Sequence, residues 1–398
     1  MAVDPRHDVV ASQYERWVYP EPIADLPGWL ATNWQWFDPS HAHRIFWPDR
    51  AYRPDMRILV AGCGTNQAAV IAYTNPSATV VGIDVSESSL AHQHHLQERY
   101  GLENLRLQRM PIEEAGQLGD DFDLIISTGV LHHLDDPQTG MNALAEVLRP
   151  DGVIAIMLYA RYGRIGVELM QALFRDLGLG QDERSLAMVK DVIASLPDEH
   201  PVRDYLAIAP DLTFDAGLVD TFLHGRDRSF TVEDCLNLVT SAGLVFQEWF
   251  LKSPYEPSVS ANPASAAIAL LPDAQRWSVM ERINTRNACH FFTACRPERP
   301  TSSYRVDPQS LQAVRDIPLM RLRCGLDGDD LVRPGWRLRL DPVERAIVAQ
   351  IDGHRTIDDI VVAARAVAGP GVDQTMVQSL LSALWNRDFI AFARINSQ

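Results

Sequence analysis

Residues 57–66 read Arg-Ile-Leu-Val-Ala-Gly-Cys-Gly-Thr-Asn, and residues 80–84 read Val-Val-Gly-Ile-Asp. Ile58, Leu59 and Val60 form a short apolar run that fits a strand buried on both faces of a parallel sheet. Gly62 and Gly64 follow directly, and Gln67 to Tyr73 then has the composition of a helix. Strand, glycine turn and helix form a βα unit in which bare backbone lets a nucleotide-like ligand approach the helix N-terminus. The second apolar run ends in Asp84, twenty residues after Gly64. A carboxylate at that strand tip can accept hydrogen bonds from both hydroxyls of a ribose.

With these residues the chain resembles the class I S-adenosylmethionine-dependent methyltransferases. Val60-Ala-Gly-Cys-Gly-Thr65 and Gly82-Ile-Asp-Val-Ser86 carry the first part of the likeness. Phe122 to Pro137, which includes Ser127-Thr-Gly-Val-Leu-His-His133, resembles the family's fourth strand and the loop after it. Leu148-Arg-Pro-Asp-Gly-Val-Ile-Ala-Ile156 resembles the turn into the fifth. An NAD-binding domain competes for the glycine turn, but the third glycine of its Gly-x-Gly-x-x-Gly pattern is Gln67 here. The resemblance implies an α/β, Rossmann-like, mainly parallel seven-stranded sheet whose final strand runs antiparallel.

It also implies S-adenosyl-L-methionine as methyl donor, held by Ala61, Gly62, Cys63, Gly64, Asp84, Val85, Met110, Pro111, Ile112, Thr128 and Gly129. Val85 and Ile112 would flank the adenine. The family's acidic contact to the adenine amino group falls on Met110, which leaves backbone groups or Glu113 for that role. Methyl transfer from a sulfonium is an in-line displacement at an already activated carbon, so the enzyme chiefly binds and aligns both partners. A base is needed only for an acceptor that must lose a proton. His132 and His133 follow the fourth strand, and His224 lies in Phe222-Leu-His-Gly-Arg226; these three imidazoles are the catalytic candidates. Against that role, one histidine of the 132–133 pair could simply pack beneath the loop.

Around this core the composition changes. Residues 1–50 hold five of the nine tryptophans and read as an aromatic N-terminal lid, with Tyr14, Trp17 and Tyr19 facing the acceptor. An aromatic extension packed on the domain would look the same. Tyr159, Arg161 and Tyr162 leave the fifth strand and complete the expected acceptor contacts. The methyltransferase domain is expected over 51–296, with strand–helix alternation through residue 160 and a helical insertion over 161–228. Thr231 caps a helix over 232–241, and strands are expected near 245–250 and 290–294. Residues 297–317, rich at their start in proline, serine and charge, read as a linker.

Residues 318–398 read as a small α+β module. Its helices are expected near 342–351, 357–368 and 374–385, capped by Asp341, Thr356 and Asp373, with a closing strand at 389–392. Ile351-Asp-Gly-His-Arg-Thr-Ile-Asp-Asp-Ile360 is similar to winged-helix domains that bind leader peptides in peptide-modifying pathways. That module would serve a peptide, a partner protein or a second copy in a homodimer.

The chain has 398 residues and a net charge of −16, which disfavours nucleic acid as a partner because such binding needs a positive field. No basic-plus-apolar leader or 18-residue apolar run is present in the sequence, so a cytoplasmic protein that does not enter the membrane is expected. The five cysteines are scattered, and Cys289, His290 and Cys295 lack a fourth well-spaced ligand, so no metal is assigned. The expected activity is methyl transfer to an oxygen or nitrogen of a small molecule of specialised metabolism or of a peptide. A donor-binding scaffold without turnover, or a donor-assisted reaction of another kind, is the alternative.

Overall fold

The computed structural model describes residues 4–119, 121–257 and 263–395. Seven strands form one sheet: β1 (Arg57–Ala61), β2 (Thr79–Asp84), β3 (Leu105–Arg109), β4 (Phe122–Thr128), β5 (Leu148–Tyr159), β6 (Val245–Trp249) and β7 (Cys289–Cys295). Their order is β3-β2-β1-β4-β5-β7-β6. The pairs β1–β2, β1–β4, β2–β3 and β4–β5 are parallel, whereas β5–β7 is antiparallel, from Val153↔Cys295 to Tyr159↔Cys289. The apolar runs 58–61, 80–83 and 124–126 are fully buried, as strands covered on both faces must be.

Helices Gln67–Thr74, Glu87–Tyr100 and Pro137–Glu146 make the crossovers. The β2 position of Gly82 permits the close approach of one of them: a Cβ there would stand 2.8 Å from Ala68 Cβ and 2.9 Å from Leu107 Cδ2. Register brings Ala61, Asp84 and Thr128 to the same carboxyl edge, where ligands bind in open α/β sheets.

The insertion after β5 is helical as expected: Ile165–Asp176, Glu183–Ser195, Val202–Leu206 and Asp215–Phe222 surround their own core of Val167, Met170, Phe174, Val189 and Phe222. Each such fully buried side chain contributes about 1.5–3 kcal/mol of apolar burial. Helix Val232–Ser241 begins with a full capping box, Thr231 and Asp234 bonding each other's backbone amides.

The chain divides into two compact units: residues 1–35, 54–246 and 257–298, and residues 36–53, 247–256 and 299–398. The boundaries therefore differ from those expected at both ends of the methyltransferase domain. Only the first 35 residues of the expected lid belong with the first unit. Residues 36–53 join the second because Phe37 meets Phe250 at 4.8 Å and Arg299 donates to Phe46 O (2.7 Å) and Gln247 Oε1 (2.8 Å). The stretch expected as a linker is also folded into this unit. Arg299 is 4% exposed and Ala313 lies in the second core, a long-range pairing that local composition cannot reveal.

In the second unit the three helices and their caps lie where expected, at Pro342–Val348, Ile357–Ala368 and Gln374–Asn386. Four short strands precede them: β8 (Ile317–Met320), β9 (Gly325–Asp327), β10 (Asp330–Arg333) and β11 (Trp336–Arg339). The last three form an antiparallel meander, and β8 pairs with the closing strand β12 (Ile390–Ala393). Among the described residues no helix is long and apolar enough to cross a membrane.

Candidate active site

At the carboxyl edge of β1, Gly62 and Gly64 adopt φ of +75° and +54°. A Cβ on Gly62 would meet Val130 Cγ2 at 2.4 Å, and one on Gly64 would meet Pro20 Cδ at 3.0 Å, so both positions need glycine for shape as well as conformation. Gln93 holds the turn from the crossover helix: its amide donates to Cys63 O and Gly64 O, both at 3.0 Å, and its oxygen accepts from Ala69 N–H at 2.8 Å. Sequence reasoning missed Gln93, although it is a polar residue on the buried face of its helix.

The Asp84 carboxylate accepts from Gly64 N–H (2.8 Å) and Ser86 N–H (2.9 Å). Desolvation raises its pKa even though these amides favour the charged form. Met110 is buried and donates its N–H to Asp84 O, while Oε2 of Glu113 is buried with no partner among the described residues. Ala61 and Cys63 are buried, and desolvation pushes the Cys63 thiol up, leaving it a packing group. Thr128 accepts from Gln67 Nε2 at 3.1 Å, and Gly129 has φ +74°.

The N-terminal segment lies directly on the glycine turn. Thr65 Oγ1 donates to Pro20 O at 2.8 Å, after a cis Tyr19–Pro20 bond. Tyr19 in turn donates its hydroxyl to Asp211 of the insertion (2.9 Å), and Tyr14 donates to Asp220 Oδ1 (2.8 Å). Trp17 turns away, its indole N–H bonding Gln181 O at 3.0 Å while the ring packs on the insertion core.

The three histidines come together, but not as equivalents. His132 is fully buried, its ring stacked 3.8 Å from that of Tyr159, and its Nδ1 accepts from Tyr159 N–H (3.3 Å). His224 Nδ1 accepts from Arg226 N–H at 3.0 Å. In the neutral ring, an occupied Nδ1 lone pair places the hydrogen on Nε2. His133 is the reverse: its Nδ1–H faces Arg226 O at 2.9 Å, so its Nε2 carries a lone pair. Its ring stacks on that of His224 at 3.8 Å. Desolvation lowers all three pKa values, most strongly for His132 and His224.

The residue that organises this group is Asp220, 2% exposed on helix Asp215–Phe222. Its Oδ1 accepts from Tyr14 (2.8 Å) and Gln13 (3.3 Å), and among the described residues its Oδ2 has only a 3.5 Å contact from the Tyr159 hydroxyl. Desolvation raises its pKa to about 7, against the lowering effect of Tyr14. The sequence signal was there to find: an acid inside Leu218-Val-Asp-Thr-Phe-Leu223. Arg164, also fully buried, pairs with Asp227 (2.8 Å), donates to Tyr205 (2.8 Å) and lies 3.6 Å over the Tyr159 ring. Arg161 is exposed and Tyr162 half-buried, and neither side chain joins this group through a described contact.

Atoms of His133, Asp220 and His224 lie within 4.8 Å of one another, as do those of His132, His133 and Asp227, spacings that could hold a metal ion. In this arrangement His132 and His224 present N–H rather than a lone pair, so the group is set up for hydrogen bonding and proton handling.

A parallel sheet with an antiparallel seventh strand, a glycine turn and an acid at the second strand tip define a Rossmann-like class of α/β fold. Comparison with known proteins specifies the class. Residues 53–194 match a family described as a methyltransferase domain. An uncharacterized protein of Synechococcus is 28% identical over 94% of this chain and 91% of its own length. Trans-aconitate 2-methyltransferase of Deinococcus radiodurans is 36% identical over 30% of this chain and 44% of its own length. In fold, the chain is similar to PKMT2 from Rickettsia typhi: TM-score 0.66, 12% identity, covering 90% of this chain and 76% of that one. PKMT2 has also been solved in complex with AdoHcy. Over residues 53–194 the chain is therefore a methyltransferase domain on a Rossmann-like fold, and the methyl donor this implies is S-adenosylmethionine.

Proposed function

We propose that the chain transfers a methyl group to an oxygen or nitrogen atom of a small-molecule or peptide acceptor bound beside Tyr14, Tyr19 and Asp220. The observation that carries this reading is the path of one segment: Tyr19 and Pro20 cover the Gly64 turn while the Tyr19 hydroxyl reaches Asp211 of the insertion. Donor-side and acceptor-side groups thus share one wall.

The bound donor supplies a methyl already activated on a sulfonium. Gly62 and Gly64 would admit its amino-acid portion, where a Cβ would fill the cradle. Asp84 would accept from the ribose hydroxyls. Val85, Met110, Pro111 and Ile112 would line the adenine, with the unpartnered Glu113 oxygen in reach of an amino group. Thr128 and Gly129 border the donor from β4. The N-terminal segment excludes water from the transfer. Of the three histidines, His133 is the one whose Nε2 can accept a proton, while His132 packs the loop against Tyr159. The second unit acts as an accessory module for a peptide or partner copy.

Incubation with methyl-deuterated S-adenosylmethionine and fractionated cell extract tests the reading. A deuteromethyl mass shift in a small-molecule or peptide fraction, with release of S-adenosylhomocysteine, supports it. Turnover confined to nucleic acid would refute it.

A further inference from the structure

We infer that the acceptor is an amine that enters as an ammonium ion, recognised by the Asp220 carboxylate behind Tyr14. The inference rests on the methyl-transfer reading above and narrows its acceptor to one chemical class.

The charge balance around Asp220 is the first ground. Arg164 is paired with Asp227, and Arg226 is paired with Asp8 at 3.1 Å. Asp220 and Asp211 have no cation within ion-pair range among the described residues. His133 and His224, the titratable rings nearest Asp220, are held toward their neutral forms by burial. Tyr14, Tyr19 and Tyr159 are likewise held as neutral phenols by burial beside Asp220. A site with unbalanced carboxylates and neutral walls attracts a cation and repels an anionic acceptor.

The second ground is unused polar capacity. Tyr14 and Gln13 occupy Oδ1 of Asp220, while among the described residues Oδ2 has only the long Tyr159 contact and keeps a lone pair for a donor. Nearby, Asp227 is 7% exposed at its side chain, and its Oδ1 has no partner among the described residues. A buried acceptor without a donor costs stability, and an ammonium brings N–H groups that satisfy it. Position is the third ground. Pro20 packs on Gly64, whose N–H bonds Asp84, and the adjoining Tyr19 hydroxyl reaches Asp211, so the segment that carries Tyr14 runs from the donor turn to the insertion.

The chemistry balances. An ammonium gives one proton to Asp220, whose carboxyl is pushed up to about 7 by burial, and becomes a neutral amine. The nitrogen lone pair then forms the N–CH3 bond as the C–S bond of the donor breaks. That electron pair remains on sulfur, releasing S-adenosylhomocysteine and a methylated ammonium.

The test is calorimetric titration of benzylammonium and of benzyl alcohol into the full chain saturated with S-adenosylhomocysteine. Benzylammonium should bind at least about tenfold tighter than the alcohol, since a desolvated charge contact exceeds the 1.4 kcal/mol that tenfold represents. Between about pH 6 and 8, where an alkylamine stays protonated, its affinity should rise as Asp220 ionises. Asp220→Asn should abolish the preference and the pH dependence, and Asp220→Glu should restore part of both, a pattern a purely structural aspartate would not produce. Equal affinity for the two probes, or a preference unaltered in Asp220→Asn, overturns the inference and leaves the donor site standing. Failure of S-adenosylhomocysteine itself to bind overturns both.

Discussion

Gly62→Ala isolates the shape requirement of the donor turn. Two costs apply at this position. A non-glycine residue in the left-handed region costs about 1–2 kcal/mol. The added methyl would also lie 2.4 Å from Val130 Cγ2 and 2.7 Å from Cγ1, and overpacking of this kind costs about 1–3 kcal/mol. Together the loss is about 2–5 kcal/mol unless the loop after β4 moves. The control is Gly101→Ala: φ is +61° there, but nothing lies within 4 Å of the new methyl, so only the same conformational cost of about 1–2 kcal/mol applies. Urea denaturation of both variants gives the stability difference, and titration of S-adenosylhomocysteine gives the effect on the turn. Gly62→Ala should be the less stable by at least about 1 kcal/mol and should bind the nucleoside at least tenfold more weakly, whereas Gly101→Ala should bind normally. Equal stability losses with unchanged binding would refute the claim that Val130 and the turn are in fixed contact.

Other perturbations separate the remaining interactions. Arg164→Leu strips Asp227 of its buried guanidinium and should cost about 3–5 kcal/mol in urea denaturation, whereas a loss under about 1 kcal/mol would show the pair to be open to water. Asp220 titrates near 7 in the fold against 3.8 in the free residue, so the unfolded chain releases this proton first as pH rises. The fold should therefore lose about 4 kcal/mol from this group between about pH 4 and 7, and Asp220→Asn should remove that slope from a pH series of denaturation curves. In the second unit, buried Asp388 accepts from Lys252 N–H (2.8 Å), Ser253 N–H (3.0 Å) and Arg321 (3.1 Å). Asp388→Ala should cost about 3 kcal/mol and leave nucleoside binding intact, as read by denaturation and calorimetry in parallel.

The features readable from sequence are those fixed by local rules. The β1 run, the glycine turn, Asp84 at the β2 tip and the caps at Thr231, Asp341, Thr356 and Asp373 each depend on residues within a few positions of one another. The His132–His133 pair was legible as two imidazoles after β4 but not as opposite tautomers, because those are set by Tyr159 N–H and Arg226 O, 27 and 93 residues away. Asp220 and Arg164 were missed because a buried charge is defined by distant partners: Tyr14 lies 206 residues from Asp220, and Asp227 lies 63 from Arg164. The packing of residues 36–53 with 299–398 was hidden for the same reason, and β8 to β10 were too short to show a period.

The account depends most on the donor site. Calorimetric titration of S-adenosylmethionine into wild type and Asp84→Ala tests it directly. Wild type should bind one equivalent, and the variant, which loses the ribose acceptor and the Gly64 N–H partner together, should bind at least about tenfold more weakly. Equal affinities would contradict the placement of the ribose at Asp84, and absence of wild-type binding would contradict the donor site as a whole.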